Sequence, residues 1–327
     1  MKRIVFLLLV IISAMSSYAA NVEKQYKKLI ENFDVADEAK YGDTLDAAGF
    51  WNAMLDNNEL RIKFLKDLKK NKGAEKEALT KTAQLPRFYP QYDETIDHSM
   101  QGFCDTLLMD MGISELGFKC SLHVVYSDDA NAFTALTEDG FAICLTKALI
   151  SKKGITYDIL KGYVANEFAH GALLHHERLF YAGAKKRRKD NITEGIAAGV
   201  CLFFAALAAA EDDNTTCGND CGTTVENNIE INVSPVKYIF QYSKEQVFEA
   251  DLVAYRFLEH LGKGEAFING LRILGTPYDA LYEEDNDHPT IVDRIGFLKY
   301  VQQHPELGNT KNIKLWRKRI QSGSGVW

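Results

Sequence analysis

The chain has 327 residues, 46% of them hydrophobic and 25% charged, which excludes the disordered and fibrous classes and leaves room for one large domain or two modest ones. A formal net charge of −7 and a pI near 5.7 argue against a phosphate-backbone partner, so no nucleic acid is expected.

Residues 1–20 combine a basic start (Lys2, Arg3), an apolar run from Ile4 to Ile12 and small residues at Ser17, Ala19 and Ala20. The run is too short to span a bilayer, so it predicts a secretory signal peptide cleaved after Ala19 or Ala20, and an exported, periplasmic or extracytoplasmic location. An uncleaved membrane anchor is the alternative. The six cysteines (104, 120, 144, 201, 217, 221) form an even set for an oxidising compartment. Cys217 and Cys221 are the expected bridge, with metal binding by that pair as the rival reading, while Cys144 and Cys201 lie in apolar runs and read as buried thiols.

Residues 21–117 read as helical, with apolar residues three and four apart in "VEKQYKKLIENF", "LRIKFLKDLKK" and "SMQGFCDTLLMDMGI". Nothing in this region suggests chemistry. The pattern then changes. Leu122 to Tyr126, Ala132 to Leu136 and Phe141 to Leu145 predict a small antiparallel sheet, with a turn at Asp139-Gly140. A long helix is expected from Tyr157 to Lys189, with Thr156 as its N-cap.

The basic run Lys185 to Lys189 (KKRRK) precedes a 16-residue apolar run, Gly195 to Ala210, bounded by Glu194 and Glu211. The basic run reads as a solvated helix end or as a contact with anionic headgroups. The apolar run reads as a buried or partner-contacting helix, or as a candidate membrane-surface contact. Further helices are expected from Ser243 to Gly262, in "EAFINGLRIL", and from the proline of "DHPTIVDRIGFLKYV". No repeat or low-complexity linker divides residues 21–327. The expected organisation is a signal peptide (1–20), a helical N-terminal region (21–117), a main domain (118–305) and a C-terminal tail (306–327).

The segment that bears on function is "YVANEFAHGALLHH", Tyr163 to His176. An H-E-x-x-H helix places two imidazoles one turn apart to grip Zn²⁺, and the glutamate takes a proton from the metal-bound water. Here Asn166 occupies the first position, Glu167 the base position and His170 the second. By itself N-E-x-x-H is a weak motif. The order "NEFAHGALLHHER", "FEADLVAYRFLE" and "HPTIVDRI", preceded by "NAFTALTEDGFAICLTKALI", is more specific. It resembles the zinc metallopeptidase family that includes the CAAX prenyl endopeptidase, the heat-shock protease HtpX and the periplasmic protease BepA, over roughly Asp128 to Tyr300.

The resemblance implies an α+β, mostly helical, zincin-like fold whose sheet edge takes substrate as an added strand. It places the first zinc histidine at Asn166, the base at Glu167, the second zinc histidine at His170 and the glutamate ligand at Val247. It makes Asp251 the aspartate that supports the metal helix, His288 the histidine near the metal and Arg294 the arginine that follows. Zinc is the family's cofactor, but an amide and a valine replace two of its three ligands.

Helix geometry turns Glu249 roughly 200° away from the Val247 position and sets His175 about 140° from His170, so neither is expected to substitute. A plainer reading makes His170 a helix histidine satisfied by Asp251, Glu167 a carboxylate paired with a nearby cation, His175 and His176 exposed residues, and Asp251–Arg294 a structural ion pair. The sequence thus predicts an exported pseudoprotease that binds polypeptide clients of the cell envelope. An active zinc metalloendopeptidase with a rearranged ligand set, and a membrane-associated partner protein, are the alternatives.

Overall fold

Thr156 begins the central helix: its hydroxyl accepts the Ile159 N–H at 3.3 Å, satisfying one of the donors that a helix start leaves unpaired. The computed structural model describes residues 22–30, 46–70, 72–181, 242–275 and 289–304. The signal segment, the KKRRK and Gly195 to Ala210 runs, Cys201, Cys217, Cys221, His288 and the 306–327 tail lie outside them.

In chain order the helices are α1 (22–30), α2 (Ala47–Asn57), α3 (Glu59–Lys70), α4 (Lys72–Ala83), α5 (Gln101–Asp110), α6 (Lys147–Ser151), α7 (Tyr157–Ala172), α8 (175–181), α9 (Lys244–His260), α10 (Gly264–Leu274) and α11 (Ile291–Gln303). The strands are β1 (Cys120–Val125), β2 (Ala132–Leu136) and β3 (Phe141–Thr146). The described residues are mostly helical with one small sheet, an α+β arrangement.

The sheet has the order β1-β3-β2. β2 and β3 form the expected antiparallel hairpin around Asp139-Gly140, with Thr134 opposite Ile143. β1 runs parallel to β3, with Leu122 opposite Ile143, so the sheet is mixed and not antiparallel as the strand pattern predicted. Alternating apolar residues identify strands but carry no sign of direction. One face of the sheet, through Leu122, Val124, Ile143 and Leu145, joins the core shared by α2, α5, α7, α9, α10 and α11. Trp51 of α2 packs against Phe168 of α7 and Phe257 of α9, with ring centroids 4.8 and 4.6 Å apart.

Ser243 caps α9 in a capping box with Gln246, and Gly262, at φ 70°, follows its end. Thr290 caps α11 directly after Pro289. The long helix expected from Tyr157 to Lys189 instead breaks after Ala172. Leu174 takes a left-handed φ of 59°, and helix resumes at His175. The left-handed position itself holds a leucine and no Pro follows it, so the sequence reads through the break. A leucine at positive φ is strained. Its side chain packs against the cluster of Phe64, Ala78 and Tyr181, which offsets that cost.

Just before the break, Gly171 lets α7 lie against the sheet. A Cβ there would fall 2.6 Å from the Phe141 ring. Gly171→Ala is expected to lower stability by about 1–3 kcal/mol despite its better helix propensity, read as a shift in the urea midpoint.

Candidate functional site

α7 and α9 pack side by side, and their register follows from two hydrogen bonds. Asn166 Nδ2 donates to Asp251 Oδ1 at 3.0 Å, and Gln246 Nε2 donates to the His175 carbonyl at 2.7 Å. The helices are therefore antiparallel here. His170 lies one turn after Asn166, and Val247 one turn before Asp251 on the same side of α9, so these four positions occupy facing turns.

Asn166 is buried with its amide nitrogen spent on Asp251. Arg294 holds the same carboxylate through both donors of its fork, Nε to Oδ2 at 2.8 Å and Nη2 to Oδ1 at 2.6 Å. Asp251 is fully buried, so this bidentate pair ties α11 to α9 and, through Asn166, to α7. The structural ion pair expected between Asp251 and Arg294 is present. Val247, 2% exposed, adds no donor.

Among the described residues no cation pairs with Glu167, the partner that the plainer reading expected. The Thr134 hydroxyl of β2 lies 2.8 Å from its carboxylate and 2.7 Å from its backbone carbonyl. Burial pushes this carboxyl up to about 7, against the opposing pull of Thr134 and Arg294. Because the folded value lies above the ordinary 4.5, ionising Glu167 costs stability as pH rises from 4.5 through about 7. Glu167→Gln is expected to unfold about 1–3 kcal/mol less readily than the parent at pH 8 and equally at pH 4, measured by urea titration at both.

The largest departure from expectation concerns His175 and His176, which are buried at 0% and 3% exposure. The break at Leu174 turns the chain so that His175 Nδ1 meets His170 Nδ1 at 2.9 Å, with the rings edge to face. One nitrogen must donate and the other accept. On its far side, His175 Nε2 stands 3.3 Å from Glu249 Oε2, off the hydrogen-bond axis. Glu249 also accepts Asn58 Nδ2 at 2.9 Å and pairs with Arg178 at 2.8 Å. Burial alone would raise the Glu249 carboxyl, but the Arg178 guanidinium outweighs it and holds it at about 2. Burial also lowers the His175 imidazole, so this ring is neutral at physiological pH.

Tyr242 completes the site. Its ring lies flat on His170, with centroids 3.7 Å apart, and its hydroxyl meets His176 Nε2 at 3.2 Å. Sequence reasoning missed Tyr242, Arg178 and Asn58. The signal available was the pair of carboxylates Glu249 and Asp251 on one apolar helix, which require buried partners. His288 lies outside the described residues, and Asp251 binds Asn166 and Arg294 in the place where a His170 contact was expected.

The donors present do not fit zinc. Asn166 turns its amide nitrogen to Asp251, Val247 has no donor atom, and His170 has its face under Tyr242 and one nitrogen on His175. No group of three or more His, Cys, Asp or Glu side chains among the described residues is arranged to hold a metal ion.

No protein-family model and no curated protein matches this chain.

Proposed function

We propose that the chain is a metal-free relative of the zinc metallopeptidases, with a zincin-like scaffold, that binds polypeptides in the cell envelope without cutting them. The observation that carries this reading is the register of α7 against α9. It sets Asn166, His170 and Val247, the three ligand positions implied by the resemblance, on facing turns, and fills two of them with residues that serve packing. Asp251 and Arg294 fasten the same turns together. Tyr242 and the pair of histidines occupy the remaining polar space.

The element on which polypeptide binding would rest is β2. It is an edge strand, so alternate backbone groups point away from β3. At one end the chain itself supplies a partner, Phe88 N–H donating to the Leu136 carbonyl at 2.7 Å. Phe133 to Leu136 are buried, so an incoming extended segment would reach this edge only if the chain covering it moved aside.

The test is metal analysis of protein purified without chelator, together with anisotropy of a labelled, permanently unfolded polypeptide. Binding without cleavage and without stoichiometric zinc is expected. One zinc per chain, with cleavage that Glu167→Gln abolishes, would overturn the reading in favour of a rearranged active peptidase.

A further inference from the structure

The chain is acidic as a whole, yet its charge is segregated. The hairpin from Glu59 to Ala83 carries eight Lys or Arg against four Asp or Glu, a net +4 in a chain of net −7. Lys63, Lys66, Lys69, Lys70, Lys72, Lys76 and Lys81 are all exposed. None of these seven forms an ion pair among the described residues, whereas Lys119, Lys147, Lys161, Lys244 and Lys263 elsewhere each meet a carboxylate.

Their placement is directional. On α3, Lys63, Lys66 and Lys70 recur at intervals of three and four, opposite the face on which Phe64 and Leu68 pack toward Ala78 of α4 and Tyr181 of α8. On α4, Lys72, Lys76 and Leu79 share a face, and Leu79 is 53% exposed. The hairpin thus turns an inner apolar face to the protein and an outer face of lysines around one protruding leucine to its surroundings.

Unpaired lysines on long stems suit a diffuse negative surface more than a single carboxylate, and an exposed leucine among them suits an interface with an apolar layer beneath its charge. We propose that the outer face of α3 and α4 docks the protein on an anionic lipid bilayer. No described helix is long and apolar enough to cross a membrane, and the contact proposed is a peripheral one through the hairpin. The hairpin is fixed to the rest of the protein through Phe64, whose ring packs 5.4 Å from that of Tyr181.

The experiment is cosedimentation of the chain from Asn21 onward, which holds every described element, with vesicles of phosphatidylcholine alone or with about one third phosphatidylglycerol. Each lysine near such a surface contributes roughly fivefold. Partitioning onto anionic vesicles is expected to exceed that onto neutral ones by at least about tenfold in low salt and to weaken in high salt. The variant Lys63→Gln/Lys66→Gln/Lys70→Gln/Lys76→Gln should fall to the neutral-vesicle level with an unchanged melting curve.

Equal binding by parent and variant, or equal binding to both vesicle types, would overturn the proposal. So would a loss produced by Gln at 185–189 but not by the hairpin variant, or inositol hexakisphosphate bound as tightly as the vesicles. Failure here leaves the peptide-binding measurement untouched, and failure there leaves this one untouched.

Discussion

Arg294→Met is expected to destabilise the protein by about 3–5 kcal/mol, because it removes the cation from a carboxylate with no solvent to replace it. Asp251 has 0% side-chain exposure, and Arg294 supplies two of its three hydrogen bonds. The remaining donor, the neutral Asn166 amide, cannot hold a buried charge. The buried carboxylate is then left without its cation unless water enters between α9 and α11. The double variant Arg294→Met/Asp251→Leu should recover most of the loss, since replacing a buried pair by apolar groups is often neutral. Urea unfolding of the two variants decides the matter. A single variant within about 1 kcal/mol of the parent would mean that the pair is solvated and does not join the helices.

Asn166→His combined with Val247→Glu is expected to create a zinc site, raising affinity by at least about a thousandfold over the parent. The two changes add an imidazole one turn before His170 on α7 and a carboxylate on the facing turn of α9, and deliver the three-ligand set that resemblance assigns to these positions. Tyr242 covers His170 and could mask the gain, so the triple variant with Tyr242→Ala serves as the second arm. Competitive titration against a chromophoric chelator measures both. If neither variant binds zinc more tightly than the parent, the three positions do not converge and the metallopeptidase reading of the scaffold fails.

Much of the local structure was legible. Thr156 and Ser243 start helices because a short hydroxyl side chain can satisfy the first amides of a helix; the last described helix, expected from Pro289, begins at Ile291 with Thr290 as its cap. The hairpin at Asp139-Gly140 was legible from its turn and the flanking apolar strands. The direction of β1 was not, because parallel and antiparallel strands carry similar residues when both faces are covered. The break at Leu174 was not legible either. No residue there prefers a left-handed backbone, and the strain is offset by contacts with Phe64, Ala78 and Tyr181 from elsewhere in the chain.

That break separates what sequence and tertiary structure each determined about the site. By itself the sequence determined the chemical inventory: an amide and a valine where donors were expected, a glutamate and a histidine kept beside them, and two carboxylates on an apolar helix. These are matters of residue type and helical period. Only the tertiary structure decided the partners. A regular helix would have held His175 about 140° from His170, and one left-handed residue brings them to 2.9 Å. Tyr242, 72 residues beyond His170, then closes over the ring. Contacts of that kind depend on where distant segments pack, which no local pattern encodes.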